Sequence, residues 1–396
     1  TGTAVVATAT QVANNLNATV TALAQSPGQV NPTATLMATS LPTATQPAVA
    51  APERPVNPAQ CTRVTNAPAE VVAVLDALLA QFTDTTNVNL EELLPSPGAV
   101  IRVETPDWVY YEALGLANVE TGELLRCDRR FQIGSNTKMM TAVLLLQLVE
   151  EEKLSLDDHL SDYLPDYAAA LPFGDRITLR QLANHTSGIF SYTDDAPDGA
   201  PGLMEGDTSS DTLLRQGYTP DELVQFAIEH GQPYFEPGAE GQFHYSNTNY
   251  ALLGLIIEQV TGQDIGTLYQ DRIFTPLGME RTFLWNDVPL DAFDLPQGYL
   301  KYPFDLNTTA WNMSQGWAAG AVISTADDMR TFITALLKGE LFQNPDTLTT
   351  MQETVHAGGL GEYGIGLIKF YLASPDAWGH GGQTLGFESS VGDVAQ

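Results

Sequence analysis

Phe131-Gln132-Ile133-Gly134-Ser135-Asn136-Thr137-Lys138-Met139-Met140-Thr141-Ala142-Val143-Leu144-Leu145-Leu146-Gln147-Leu148-Val149 is the stretch on which the fold turns. Its first three residues read as a strand. Met139 to Val149 is apolar on nearly every side, which at this length marks a helix buried in a core rather than a membrane span. Ser135 stands at the junction of the two. Lys138 lies three positions on and shares its helix face, so hydroxyl and amine come within hydrogen-bonding range. A serine hydroxyl is a weak nucleophile until a base takes its proton, and a lysine desolvated by apolar neighbours can lose its own proton far below the solution value of about 10.4. The helix N-terminus adds unpaired N–H groups that can hold an oxyanion. By itself the pattern also suits a helix-capping serine.

Two further clusters lie downstream. Tyr245-Ser246-Asn247 follows Pro237-Gly238 and precedes the apolar helix Tyr250 to Thr261. A tyrosine can pass a proton where a cation stabilises its phenolate, and an asparagine two positions on can orient both the lysine and a substrate carbonyl. His380-Gly381-Gly382 sits in a strand-like stretch where paired glycines admit another backbone or a ligand. His356-Ala357-Gly358 has the same spacing. His380 is preferred because it follows the turn after Tyr363-Gly364-Ile365-Gly366-Leu367 and leads into Gln383-Thr384-Leu385-Gly386-Phe387, which fits a paired strand.

In this order, S-x-x-K, Y-x-N and [KH]-x-G, the clusters resemble the motifs of class C β-lactamases and D-alanyl-D-alanine carboxypeptidases. Leu182-Ala183-Asn184-His185-Thr186-Ser187-Gly188 resembles that family's H-T-S-G turn. Ala319-Gly320-Ala321-Val322-Ile323-Ser324-Thr325-Ala326-Asp327-Asp328 resembles its G-x-x-S-T-x-x-D segment, so the likeness spans roughly residues 99 to 390. The resemblance implies an α+β fold, an antiparallel sheet flanked by helices with a mainly helical subdomain inserted. It implies an acyl-enzyme on Ser135, with Lys138 and Tyr245 sharing the proton work. Asn247, His380 and Gly382 would bind substrate, and the backbone N–H groups of Ser135 and Gln383 would form the oxyanion hole. The implied substrate is a peptidoglycan stem peptide, a β-lactam or an ester, with D-alanyl-D-alanine carboxypeptidase-like activity the leading reading and a β-lactamase or esterase of the same fold the alternative. A cell-wall or β-lactam sensor that acylates and stalls is the alternative from another class.

The sequence departs from the family in three places. His380 stands where class C β-lactamases carry lysine, and a neutral imidazole offers less to a carboxylate than an ammonium does. Gly381 stands where a hydroxyl residue is common. Only 16 residues follow His380, fewer than the closing strands and helix of the family need, so a C-terminally truncated fragment is expected, with an open sheet edge.

Elsewhere, residues 1 to 60 form a Thr/Ala/Pro-rich tract without apolar periodicity, expected to be a disordered tether. Its charged residues are Glu53 and Arg54 alone, so the net charge of −31 rests on the rest of the chain. Such acidity excludes nucleic acid as a partner and disfavours an anionic membrane surface. The acidic stretch Thr193 to Asp211 could reach over a cleft and select neutral or cationic substrates, or serve as a solvated loop.

The expected hydrolase domain covers 67 to 396, with 67–134 and 315–396 in a sheet subdomain built from both chain ends and 135–314 in a helical one. Apolar spacing predicts a helix from Ala67 to Phe82, strands between Ala99 and Ile133, and helices at Pro220 to Glu229 and Thr325 to Leu337, the last capped by Ser324 or Thr325. Cys61 and Cys127, the two cysteines, allow one disulfide or two buried thiols. The six histidines show no metal-binding spacing, so neither metal nor cofactor is expected. A G-x-S-x-G elbow is absent, which argues against an α/β-hydrolase. A monomer, secreted or tethered outside a bacterial cell, is the expectation.

Overall fold

A computed structural model describes residues 64–84, 96–203, 215–285, 294–300, 306–370 and 377–394. The expected tether, Cys61 and the 204–211 part of the acidic stretch lie outside the described residues. Cys127 is buried and disulfide-bonded.

The N-terminal layer comprises strand β1 (Val64–Thr65), helix α1 (Ala69–Thr83), β2 (Gly98–Glu104), β3 (Val109–Asn118) and β4 (Glu123–Leu124). Val71, Leu75 and Leu79 recur one helical turn apart and meet Ile101, Val103 and Tyr110, forming a small core of their own. β2 and β3 pair antiparallel from Gly98↔Gly115 to Glu104↔Val109. β5 (Phe131–Gln132) then enters a 3₁₀ turn at Gly134–Asn136, which feeds α2 (Thr137–Glu150). Every residue from Thr137 to Leu146 is buried, and Leu148 too. At about 1.5–3 kcal/mol for each fully buried large apolar side chain, α2 anchors the core despite carrying a lysine.

The middle of the chain contributes α3 (Leu179–Ala183), α4 (Pro220–His230), α5 (Asn247–Thr261) and β6 (Phe283–Leu284). Next come β7 (Val322–Ser324) and α6 (Ala326–Leu337), whose cap is Thr325, its hydroxyl accepting from the Asp328 N–H at 3.1 Å. β8 (Val355–His356), β9 (Glu362–Tyr363), β10 (Ile368–Phe370), β11 (Ala377–Thr384) and β12 (Phe387–Val394) form a sequential five-stranded antiparallel sheet. A turn through Gly364 and Gly366 separates β9 from β10.

The architecture is α+β, antiparallel sheets flanked by helices. Strands from both chain ends also pair, since β7 runs antiparallel to β5 (Phe131↔Ser324, Gln132↔Ile323) and to β6 (Phe283↔Ile323, Leu284↔Val322). β2 pairs only with β3, and β12 only with β11. Helix α6 packs against both β2 and β12. The main core runs from Ile133 through α2, α5 and α6 to Trp378.

Candidate active site

Ser135 is half-buried at the second position of the 3₁₀ turn, and neither this turn nor α2 has a side-chain cap. The capping role is thereby excluded. Its hydroxyl instead lies 3.1 Å from Lys138 Nζ, which also meets Asn247 Oδ1 at 2.6 Å and the Ala319 carbonyl at 2.8 Å. Lys138 is 0% exposed, and among the described residues no carboxylate pairs with it. Burial holds its amine well below the ordinary lysine value. A neutral amine donates two hydrogens and offers one lone pair. Asn247 and Ala319 supply two acceptors, so the lone pair is left for the Ser135 proton.

Asn247 opens α5, and its amide is fixed at both ends. Oδ1 accepts from Lys138, while Nδ2 donates to Thr193 Oγ1 at 2.9 Å. Ser191 Oγ accepts from the Asn247 N–H at 3.1 Å and contacts Thr193 Oγ1 at 2.8 Å. The start of the acidic stretch thus touches the site through Thr193. Lys138 Nζ lies 4.8 Å from the centre of the Tyr245 ring. The Tyr245 hydroxyl is buried and has no well-formed hydrogen bond. Burial raises its phenol above the ordinary value, offset in part by the nearby Ser135 hydroxyl.

Strand β11 closes the other side. A Cβ at Gly382 would lie 2.0 Å from the Ile133 carbonyl oxygen, and one at Gly134, where φ is +50°, would lie 2.6 Å from the Gln383 nitrogen. Only glycine at both places lets the strand approach the Ser135 turn this closely. The Gln383 N–H is thereby brought beside the turn. Asn136 Nδ2 and Ser389 Oγ, 2.8 Å apart, both donate to the Ile133 carbonyl and tie β12 to the same turn.

His380 lies on this strand, but its ring is turned inward. It is 2% exposed, Nε2 meets the Tyr363 hydroxyl at 3.0 Å, and Nδ1 meets the Gly381 carbonyl. Burial lowers its pKa to about 3. The ring centre lies 6.2 Å from that of Tyr245. His356, with the same motif spacing, is exposed on β8.

The structure therefore brings Ser135, Lys138, Asn247 and Tyr245 together with the backbone of Gln383, and sets the His380 side chain behind them. Sequence reading missed Ser191, Thr193 and Tyr363. Single hydroxyl and phenol residues carry no distinguishing pattern, although the acidic stretch beginning at Thr193 had marked the neighbourhood. Among the described residues no group of three or more His, Cys, Asp or Glu could hold a metal.

The family model described as Beta-lactamase matches residues 88–392. The chain belongs to that family. Among its relatives, penicillin-binding protein 4 of Amycolatopsis lactamdurans is 29% identical over 72% of this chain and 70% of its own length. A teichoic acid D-alanine hydrolase of Staphylococcus aureus is 26% identical over 65% of this chain, which spans 58% of that relative. A D-stereospecific amidohydrolase from Streptomyces sp. shares the fold with a TM-score of 0.65 and 32% identity, over 82% of this chain and 90% of its own.

Proposed function

We propose that the chain is a serine hydrolase that cleaves an amide or ester bond of a D-amino-acyl substrate through an acyl-enzyme on Ser135. The observation that carries this reading is the buried Lys138 amine, hydrogen-bonded to the Ser135 hydroxyl with its other partners already placed. Ser135 Oγ attacks the carbonyl carbon as its proton passes to Lys138 Nζ. The oxyanion is held by the N–H groups of Ser135 and Gln383. Collapse of the tetrahedral intermediate breaks the bond to the leaving group. That group takes up the proton through Tyr245, which Lys138 reprotonates. Water then attacks the acyl group by the same route in reverse and restores the serine.

Three proteins named as a penicillin-binding protein, a D-alanine hydrolase and a D-stereospecific amidohydrolase support the D-amino-acyl class. Within it, the inward, neutral His380 favours a leaving group without a carboxylate, because no cation is presented from this strand position. D-aminoacyl amides and esters are therefore the preferred substrates, with D-alanyl-D-alanine peptides in the same chemical series.

The test is a panel of a D-aminoacyl amide, a D-alanyl ester, a D-alanyl-D-alanine peptide and a cephalosporin, with Ser135→Ala as control. Faster turnover of amide and ester than of peptide, abolished in Ser135→Ala, is expected. Equal hydrolysis by both proteins would remove Ser135 as nucleophile. Preference for the peptide over its carboxylate-blocked form would overturn the substrate reading. A stoichiometric burst without turnover on every substrate would favour the sensor.

A further inference from the structure

His185 belongs to none of the three catalytic motifs, yet its contacts surround one of them. It follows α3 with φ at +61°, a left-handed conformation that costs a non-glycine residue about 1–3 kcal/mol and persists only where neighbours enforce it. The carbonyl of His185 accepts from the His244 N–H at 3.1 Å, and its Nδ1 accepts from the Ser246 N–H at 3.1 Å. Its ring centre lies 4.3 Å from that of Tyr245. One residue thus holds the backbone before Tyr245, the ring of Tyr245 and the backbone after it.

We propose that His185 is the positioning residue for Tyr245, fixing the phenol against the Ser135–Lys138 pair. This rests on the hydrolase reading above. The rest of the turn serves the same segment: the Thr186 carbonyl accepts from Gly238 N–H at 3.0 Å and the Gly188 carbonyl from Tyr234 N–H at 2.9 Å. The ring itself is locked. Asn249 Nδ2, on α5, donates to His185 Nδ1 at 3.2 Å, and Asn249 Oδ1 accepts from Ser187 Oγ at 2.7 Å. Tyr363 and Tyr250 wall the ring in at 4.9 and 5.3 Å between centres.

The donors fix the tautomer. Two N–H groups aimed at Nδ1 require a lone pair there, so the proton resides on Nε2 and the ring is neutral. Nε2 is buried without a partner. Leaving a buried donor unpaired costs about 1–3 kcal/mol, an expense a purely structural residue would shed by becoming apolar. An apolar ring could stack on Tyr245 but could not hold the Ser246 N–H. The imidazole does both. The Tyr245 hydroxyl has no well-formed hydrogen bond of its own, so its direction depends on this packing.

The experiment is a double-mutant cycle with Tyr245→Phe. His185→Asn keeps an acceptor and tolerates left-handed backbone but removes the ring packed against Tyr245. A misplacement of about 1 Å costs ~10²-fold, so His185→Asn is expected to lower kcat by 10- to 100-fold with KM little changed. In the Tyr245→Phe background the same substitution is expected to have less than a twofold effect. Equal losses in both backgrounds, or no loss in either, would overturn the proposal. Asn249→Leu unlocks the ring without replacing it. It should produce a smaller loss with the same dependence on Tyr245, and stands in should His185→Asn not fold. Tyr245→Phe with full activity would instead defeat the hydrolase assignment of Tyr245, an outcome separate from failure of the His185 coupling.

Discussion

Replacing Gly382 by alanine tests whether the close seating of β11 on the Ser135 turn is what makes the site work. The new Cβ would lie 2.0 Å from the Ile133 carbonyl oxygen and 2.9 Å from Asn136 Nδ2. That oxygen cannot simply move aside, because it accepts from the Asn136 N–H at 3.2 Å, Asn136 Nδ2 at 3.0 Å and Ser389 Oγ at 2.9 Å. Real Cβ atoms essentially never approach closer than 3.0 Å, so strand and turn must part by roughly 1 Å. The Gln383 N–H leaves with the strand. Losing one oxyanion donor costs ~10²–10³-fold, and a displacement of about 1 Å is of the same order, so kcat on a D-aminoacyl p-nitroanilide should fall at least ~10²-fold. Overpacking of this kind costs about 1–3 kcal/mol, which lowers Tm by roughly 2–12 °C, read by circular dichroism. Gly381 supplies the control on the same strand, since a Cβ there would meet nothing closer than Ser389 O at 3.9 Å. Gly381→Ala should retain near-native kcat and Tm. An unchanged kcat in Gly382→Ala, or equal damage in Gly381→Ala, would refute the argument.

Two further substitutions probe the electrostatics. Lys138→Met keeps the volume and removes the base. Acylation of Ser135 by a serine-directed fluorophosphonate should slow by ~10²–10⁴-fold with the far-ultraviolet dichroism unchanged, and unaltered labelling would remove Lys138 from the mechanism. His380 has a folded pKa of about 3 against an ordinary value of 6.5, so between those pH values the unfolded chain binds a proton that the folded chain does not. Its contribution to stability is present above pH 6.5 and is lost as pH falls toward 3. His380→Gln removes that titration, and its Tm should fall less between pH 7 and pH 4 than that of the native chain. An equal or larger fall would show that His380 is not the buried neutral group described.

What the sequence determined by itself is local. The Ser135–Lys138 pair needed only helical spacing and an apolar flank, and the structure sets the two atoms 3.1 Å apart. Helices α1, α4, α5 and α6 were legible from periodicity and caps, and the β2–β3 pair from β-branched runs, because each pattern is written within one element. The Tyr245 and Asn247 cluster was legible through motif order.

Tertiary structure alone decided the rest. A strand's alternation gives two faces but does not say which one a partner covers. His380 was correctly placed on a strand, yet only Tyr363, packed from another strand, shows its ring buried against a phenol hydroxyl. The pairing of strands depends on which edges the core brings together: β7 takes β5 and β6 as neighbours, while β2 pairs with β3 and β12 with β11. Thr193 and His185 acquire their positions from Asn247 and Tyr245, partners far away in the chain. Ser135 could be read from four consecutive residues; what keeps the groups around it in place is a set of contacts that exists only once the chain has folded.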